Sequence, residues 1–182
     1  MNKIVILGIS IFVLIIIFLI ISIIISKNKI KESMIPLDMS KEKINNYLRQ
    51  KYKLYKEITK FIKDNLSIKE DAFKKFLDFN AKECTYEELI DLLDSTTYEI
   101  NEYVDNYDEL LKNKDFLNLK KKLYDIEINL EATTEYYNNK TIIYNNLKNN
   151  GPTSFATKFF DFDEYNSINI DKKEITRLIN LN

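Results

Sequence analysis

Residues 4–25 read IVILGISIFVLIIIFLIISIII, an apolar run without a charge, interrupted only by Gly8, Ser10 and Ser22. Twelve of its residues are Ile, a composition that in water would suit a strand. Length decides otherwise. At about 1.5 Å per residue the run spans roughly 33 Å as a helix, the thickness of a hydrocarbon core. A lone strand in lipid would leave its N–H and C=O groups unpaired, whereas a helix pairs them internally. A cleaved signal peptide would carry a shorter apolar core, about 7–15 residues, ending at a small-residue site. This run contains no Ala and puts Ile24 where the small residue is wanted, and no Cys near its end could carry a lipid. The run therefore predicts an uncleaved single-pass transmembrane anchor over residues 1–26, with the protein in the cell membrane. Lys27, Lys29, Lys31, Lys41 and Lys43 come after the span, while only Lys3 and the free amine precede it. That Lys/Arg bias puts the long C-terminal part in the cytoplasm.

The chain beyond the anchor is long enough for one domain with a core. Gly and Pro occur twice each, far below average usage, which disfavours turn-rich sandwiches and barrels and favours long helices. The formal net charge of −1 carries no polyanion-binding signature, so nucleic acid is not an expected partner. Cys84 is alone and cannot form an intrachain disulfide.

Residues 27–39, KNKIKESMIPLDM, read as a short polar juxtamembrane linker, because Pro36 disfavours a helix continuing out of the membrane. Ser40 suits an N-cap. From there Ile44, Tyr47, Leu48, Tyr55, Ile58, Phe61 and Ile62 keep three-and-four spacing as far as a stop near Asn65. Ser67 with Glu70 fits a capping box before a shorter helix carrying Phe73, Phe76 and Leu77. Thr85 with Glu88 repeats that device before the cleanest stripe in the chain, which runs from Leu89 through Leu92, Leu93, Thr96, Ile100 and Val104 to Leu111. Asn113-Lys114-Asp115 is a turn.

The last long helix carries Phe116, Leu119, Leu123, Ile126, Leu130, Thr133, Tyr137, Tyr144 and Leu147, and should run to about Asn149, roughly 50 Å. Gly151 and Pro152 end it. The expected fold class is all-α: the transmembrane helix, then an antiparallel bundle of about four helices over residues 40–150. A coiled coil with a partner chain would use the same stripes, but the short turns favour an intramolecular bundle. In residues 151–182, Phe155, Phe159, Phe160 and Phe162 are too many aromatics for a solvated tail, which predicts a segment that packs back on the bundle or touches the membrane interface. Asp171 and Glu174 could cap a last short helix ending near Ile179.

The stretch YDELLKNKDFLNLKKKLYDIEINLEATTEYYNNKTIIYNNL and the subsequent GPTSFATKFFDFDEY resemble the LemA family. The matching elements are Tyr107, Leu110, the N-x-x-F turn of Asn113 and Phe116, then Leu119, Leu123 and Glu127. They continue with Tyr137-Asn138 and Tyr144-Asn145, seven residues apart, and with Pro152, Ser154, Phe160, Phe162 and Tyr165. Residues 100–165 resemble the family well. Gln50-Lys51-Tyr52 and residues 54–63 match its pattern more loosely, with Lys56 where the family has Pro and Thr134-Glu135 where it has a basic pair. The family's Tyr-Asn segment after the anchor is missing, so the resemblance is to a divergent member. It implies a single-pass envelope protein with long antiparallel helices and its N-terminus outside, and it brings no reaction or ligand.

The residue types of catalysis are scarce. Without His there is no Ser-His-Asp or Cys-His site and no Glu-x-x-His di-iron pair, and there is no Gly-rich phosphate loop. Cys84 has no activating base in sight and reads as an incidental small apolar residue. An acidic run of Glu83, Glu87, Glu88, Asp91, Asp94, Glu99, Glu102, Asp105, Asp108 and Glu109 contains one i, i+4 carboxylate pair, Glu87 and Asp91, that a hard cation could use. A solvated helix face explains the run better. The basic stretch Lys41, Lys43, Arg49, Lys51, Lys53, Lys56, Lys60 and Lys63 could face the acidic helix or lie on anionic headgroups. Tyr137 and Tyr144 belong at the bundle seam, where neighbouring Asn side chains could serve their hydroxyls.

The reading is a membrane-anchored, non-enzymatic helical scaffold or protein-interaction module. It has no catalytic, cofactor-binding or metal residues and no evident small-molecule substrate. Its partners would be the bilayer and other envelope proteins. The alternative is an anionic-lipid-binding or membrane-shaping module built on the basic first helix and the Phe-rich tail.

Overall fold

The structure, a computed structural model, describes residues 3–150, 152–170 and 173–180. Among them there are helices and no strand: α1 (Lys3–Asn65), α2 (Lys74–Leu77), α3 (Tyr86–Asn106), α4 (Asp108–Lys112), α5 (Lys114–Asn149), a 3-10 helix (Pro152–Lys158) and α6 (Lys173–Asn180). The protein is all-α.

The apolar run does not end in a linker. α1 passes through residues 27–39 without a break, Pro36 included, so the expected juxtamembrane linker is helix and Ser40 is not an N-cap. Proline inside a helix costs about 3 kcal/mol through its missing N–H and its crowding of the preceding turn. Ile30, Leu37 and Ile44 outweigh that cost. They recur every seven residues and are fully buried, and each such burial contributes roughly 1.5–3 kcal/mol. Ser40 sits inside the helix and turns its hydroxyl back to the Pro36 carbonyl at 2.6 Å, a contact that interior helical Ser makes readily. One proline does not break a helix held by a continuous apolar seam.

The chain forms two compact units, Met1–Ser40 with Tyr136–Ser167, and Lys41–Glu135 with Ile168–Asn182. The first contains the apolar part of α1, which is long and apolar enough to cross a membrane and whose side chains are exposed in the protein. Around its continuation the unit buries Ile30, Leu37, Tyr137, Tyr144, Ala156 and Tyr165.

The second unit packs α1 against α5 in opposite directions. Lys51 meets Glu127, Glu57 meets Lys122 and Phe61 meets Phe116, so one number rises as the other falls. α3 lies beside them through Leu89, Leu92, Leu93, Ile100 and Val104, all buried. Its start is the predicted capping box. The Glu88 amide donates to Thr85 Oγ1 at 3.2 Å, and the Thr85 amide donates to Glu88 Oε2 at 2.8 Å. Asn113 then caps α5, its Oδ1 accepting from the amides of Asp115 and Phe116. α6 packs on α3 and buries Ile175 and Leu178.

The Ser67–Glu70 capping box does not form. Residues 67–69 are irregular and 70–73 form turns, and the helix there shrinks to α2, four residues long. The cause is Phe73, held at φ 59 in the left-handed region, which costs a bulky residue about 1–3 kcal/mol. Its ring is buried and lies 5.2 Å from that of Tyr103, and its amide donates to Glu99 Oε1 at 2.7 Å. Leu77, expected on the same apolar side, is exposed.

The buried face of α5 also differs from the expected stripe. Phe116, Leu123, Leu130, Tyr137 and Tyr144 are buried as expected, but Lys120, Thr134 and Thr141 complete the seam with the half-buried Glu127. Leu119, Ile126, Thr133 and Leu147 stand at its margin. The seam is a four-three repeat with every seventh position polar, a pattern that a search for apolar residues alone passes over.

Candidate functional site

In the first unit, α5 ends by gripping the segment beyond the 3-10 helix. The Tyr144 hydroxyl donates to the Asp163 carbonyl at 2.5 Å. Asn145 Nδ2 donates to the Tyr165 carbonyl at 3.4 Å, and Lys148 Nζ reaches the carbonyls of Phe162 and Asp163 at 3.2 and 3.4 Å. The Tyr165 ring packs edge-on against that of Tyr144, 5.0 Å between centroids, and its hydroxyl donates to Asp38 Oδ1 at 2.6 Å.

An extended segment has no ladder of its own, so its carbonyls must find donors elsewhere. The second Tyr-Asn pair and Lys148 supply them. The hydroxyl of Tyr144 is thus satisfied by tail backbone, not by a neighbouring Asn as the sequence suggested. Burial pushes the phenols of Tyr144 and Tyr137 up. Tyr165 is pushed up by burial and further by the Asp38 carboxylate that it donates to. Tyr144 and Tyr165 are held as neutral donors.

The four tail phenylalanines are not the most buried residues of the tail. Phe155 and Phe159 are exposed and Phe160 and Phe162 half-buried, while Ala156 and Tyr165 make the buried contacts. The tail packs back through a methyl group and a tyrosine.

In the second unit the polar feature is an ion pair. Lys51, 1% exposed, reaches Glu127 Oε1 at 2.9 Å. Burial by itself would lower the lysine, but Tyr55, Glu127 and Asp94 together hold it above its ordinary value, so it stays charged. Tyr55, fully buried beneath it, donates to Thr97 Oγ1 at 2.6 Å, since that hydroxyl spends its own proton on the Leu93 carbonyl. Burial pushes Tyr55 up to about 12. The ionic group and the phenol tie α1 to α5 and to α3. They hold a register between the three helices.

The acidic run is divided among structural tasks. Glu88 caps α3, Glu99 receives the Phe73 amide, and Asp105 pairs with Arg177 of α6. Glu87 and Asp91 are exposed, and among the described residues no three potential ligands come together as a metal site. The basic stretch is divided too. Arg49 donates to the Ala81 carbonyl, Lys51 is buried, Lys56 lies over the Tyr52 ring and Lys63 donates to the Glu70 carbonyl. Half-buried Cys84 makes only a long contact, 3.5 Å from its Sγ to the Ala81 carbonyl.

In the sequence, Glu127, Asn145 and Tyr165 stand out by pattern with no bond assigned, and Tyr144 with an Asn partner that it does not use. Asp38 and Lys148 carry no such signal, and Lys51 reads there as part of a basic stretch that faces the acidic helix or anionic headgroups. For Lys51 and Glu127 the available signal was their heptad position: each falls where an apolar residue would continue the seam.

Comparison with known proteins bears on the same region. The model of the LemA family matches residues 40–180. No curated protein and no solved structure matches. The matched span takes in the buried ion pair, the Tyr-Asn helix and the tail that it grips, and the chain belongs to the LemA family.

Proposed function

We propose that the protein is a membrane-anchored, non-enzymatic helical scaffold that presents its helical faces to other proteins of the cell envelope. One observation carries this reading: the buried ion pair and the bonded tyrosine hydroxyls are spent on holding helices and tail together. Lys51, Glu127, Tyr55, Thr97, Tyr144 and Tyr165 all bond within the fold. Outside it, α5 keeps Leu117, Tyr124, Ile128, Tyr136 and Ile142 exposed, which suits a surface for contact more than a site for chemistry. The apolar part of α1 serves as the anchor, and the lysines just after it support a cytoplasmic C-terminal side.

The test is site-specific crosslinking in intact membranes from exposed positions such as Tyr98 on α3 and Ile128 on α5. Capture of one recurring envelope protein supports the scaffold. Recovery of random neighbours alone overturns it.

A further inference from the structure

The first unit joins the end of the apolar run to the segment after α5. Ser22, Ile25 and Lys29 of α1 form one wall of an open cleft of about 430 Å³, and Leu147, Asn150 and Pro152 form the other. Ser22 and Ile25 belong to the last turn of the run. The 3-10 helix therefore begins at the depth where a span of this length leaves the hydrocarbon.

That segment is fixed in an inverted way. Ala156 is fully buried, and its carbonyl receives the amides of Phe159 and Phe160 at 3.0 and 3.1 Å. Thr153 donates to the Leu147 carbonyl at 2.6 Å. The large rings are left outside: Phe155 is 46% and Phe159 56% exposed, edge to face at 5.4 Å. Cations stand over this cluster, Lys27 Nζ at 4.0 Å from the Phe160 ring and Lys158 Nζ at 5.2 Å from that of Phe155. A fold that buries a methyl group and exposes two phenyl rings beside lysines suits a solvent that is apolar on one side and charged on the other. A bilayer interface is such a solvent, since aromatic rings settle there and basic side chains meet anionic headgroups.

We propose that residues 152–160, with Lys27 and Lys29, form an interfacial collar that seats Phe155 and Phe159 at the acyl–headgroup boundary and binds anionic lipid headgroups through Lys27, Lys29 and Lys158. The proposal rests on the reading of α1 as the membrane anchor. Its occupant is the bilayer that α1 crosses, because the cleft is continuous with the last turn of the span.

The chain contains no Trp, so single-Trp variants of the full-length protein report one position each. Phe159→Trp and Phe155→Trp probe the collar, Ile15→Trp the middle of the run and Tyr98→Trp the surface of α3. Each is reconstituted into phosphatidylcholine vesicles, with or without phosphatidylglycerol, containing lipids brominated near the headgroup or near the chain end.

The collar variants are expected to be quenched several-fold more by shallow than by deep bromines, and more strongly when phosphatidylglycerol is present. Replacing Lys27, Lys29 and Lys158 by Gln should remove that lipid dependence. Ile15→Trp should be quenched most by deep bromines and Tyr98→Trp by neither. If Ile15→Trp is quenched at depth while both collar variants behave like Tyr98→Trp, the collar is wrong and the anchor stands. A blue-shifted but unquenched indole at position 159 means that protein covers the site, which also overturns the collar. If Ile15→Trp itself escapes quenching, the anchor reading has failed. Quenching indifferent to phosphatidylglycerol overturns the anionic preference.

Discussion

Lys51 and Glu127 set the sharpest question at the scale of single residues. A buried pair contributes modest net stability, but removing one partner strands the other and typically costs about 3–5 kcal/mol. Lys51→Met should therefore destabilise the protein by that order in denaturant unfolding, and adding Glu127→Met should recover most of the loss. A double variant no better than the single one would show that the lysine acts through something other than Glu127. Tyr165→Phe removes a hydrogen bond to a carboxylate, worth about 1.5–3 kcal/mol, and should make residues 161–170 the first site of limited proteolysis. The buried phenols also give the fold an alkaline edge. A tyrosine whose folded pKa is raised keeps its proton longer when folded than when unfolded, so stability is full below the unfolded value near 10 and is lost as pH rises through the folded one. With Tyr55 at about 12 and Tyr137, Tyr144 and Tyr165 raised in the same direction, melting temperature should hold steady to about pH 10 and fall above it. Tyr55→Phe should blunt that fall.

At the scale of elements, Pro36 makes α1 testable. Pro36→Ala restores an amide to the helix, relieving about 3 kcal/mol, and loosens the unfolded chain by up to about 1 kcal/mol. The variant should melt higher, with a net gain of about 2 kcal/mol; a lower melting temperature would show that the helix depends on its proline. The same residue shows how far sequence could be read. Helices with strong local signals were legible, including the Thr85–Glu88 box, the Asn113 turn and the end of α5 near Asn149. Elements decided by packing were not. Propensity ends a helix at Pro36, but the seven-residue recurrence of Ile30, Leu37 and Ile44 carries it through. Ser67 and Glu70 had the letters of a cap, but burying the Phe73 ring required a left-handed backbone that no helix accommodates. The final helix is present as α6; Asp171 lies outside the described residues, as do Gly151 and the side chain of Glu174, so the caps expected of them are not among the structural findings. The tail grip was half legible, because the Tyr-Asn spacing marks the donors while the carbonyls they serve carry no sequence signal.

At the scale of the whole molecule, neither compact unit is one continuous stretch of chain. Each takes a part of α1, a part of α5 and a part of the C-terminal segment beyond α5. A truncation after residue 150 would remove Tyr165 from one unit and Ile175 and Leu178 from the other. Loss of cooperative unfolding throughout is the expected outcome, read by hydrogen exchange across both units; protection retained in either would show that it folds without its C-terminal part. The uninterrupted passage of α1 from residue 3 to Ser40 also fixes an angle. Each helical residue turns the chain by about 100°, so the side chains of the apolar run have a set azimuth relative to Ile30, Leu37 and Asp38. One alanine inserted after Asn28 would swing the run through that angle, whereas seven inserted together would nearly restore its phase while lengthening the helix by about 10 Å. A flexible tether would notice neither change. Here the run has a front and a back, set by the helix that continues from it.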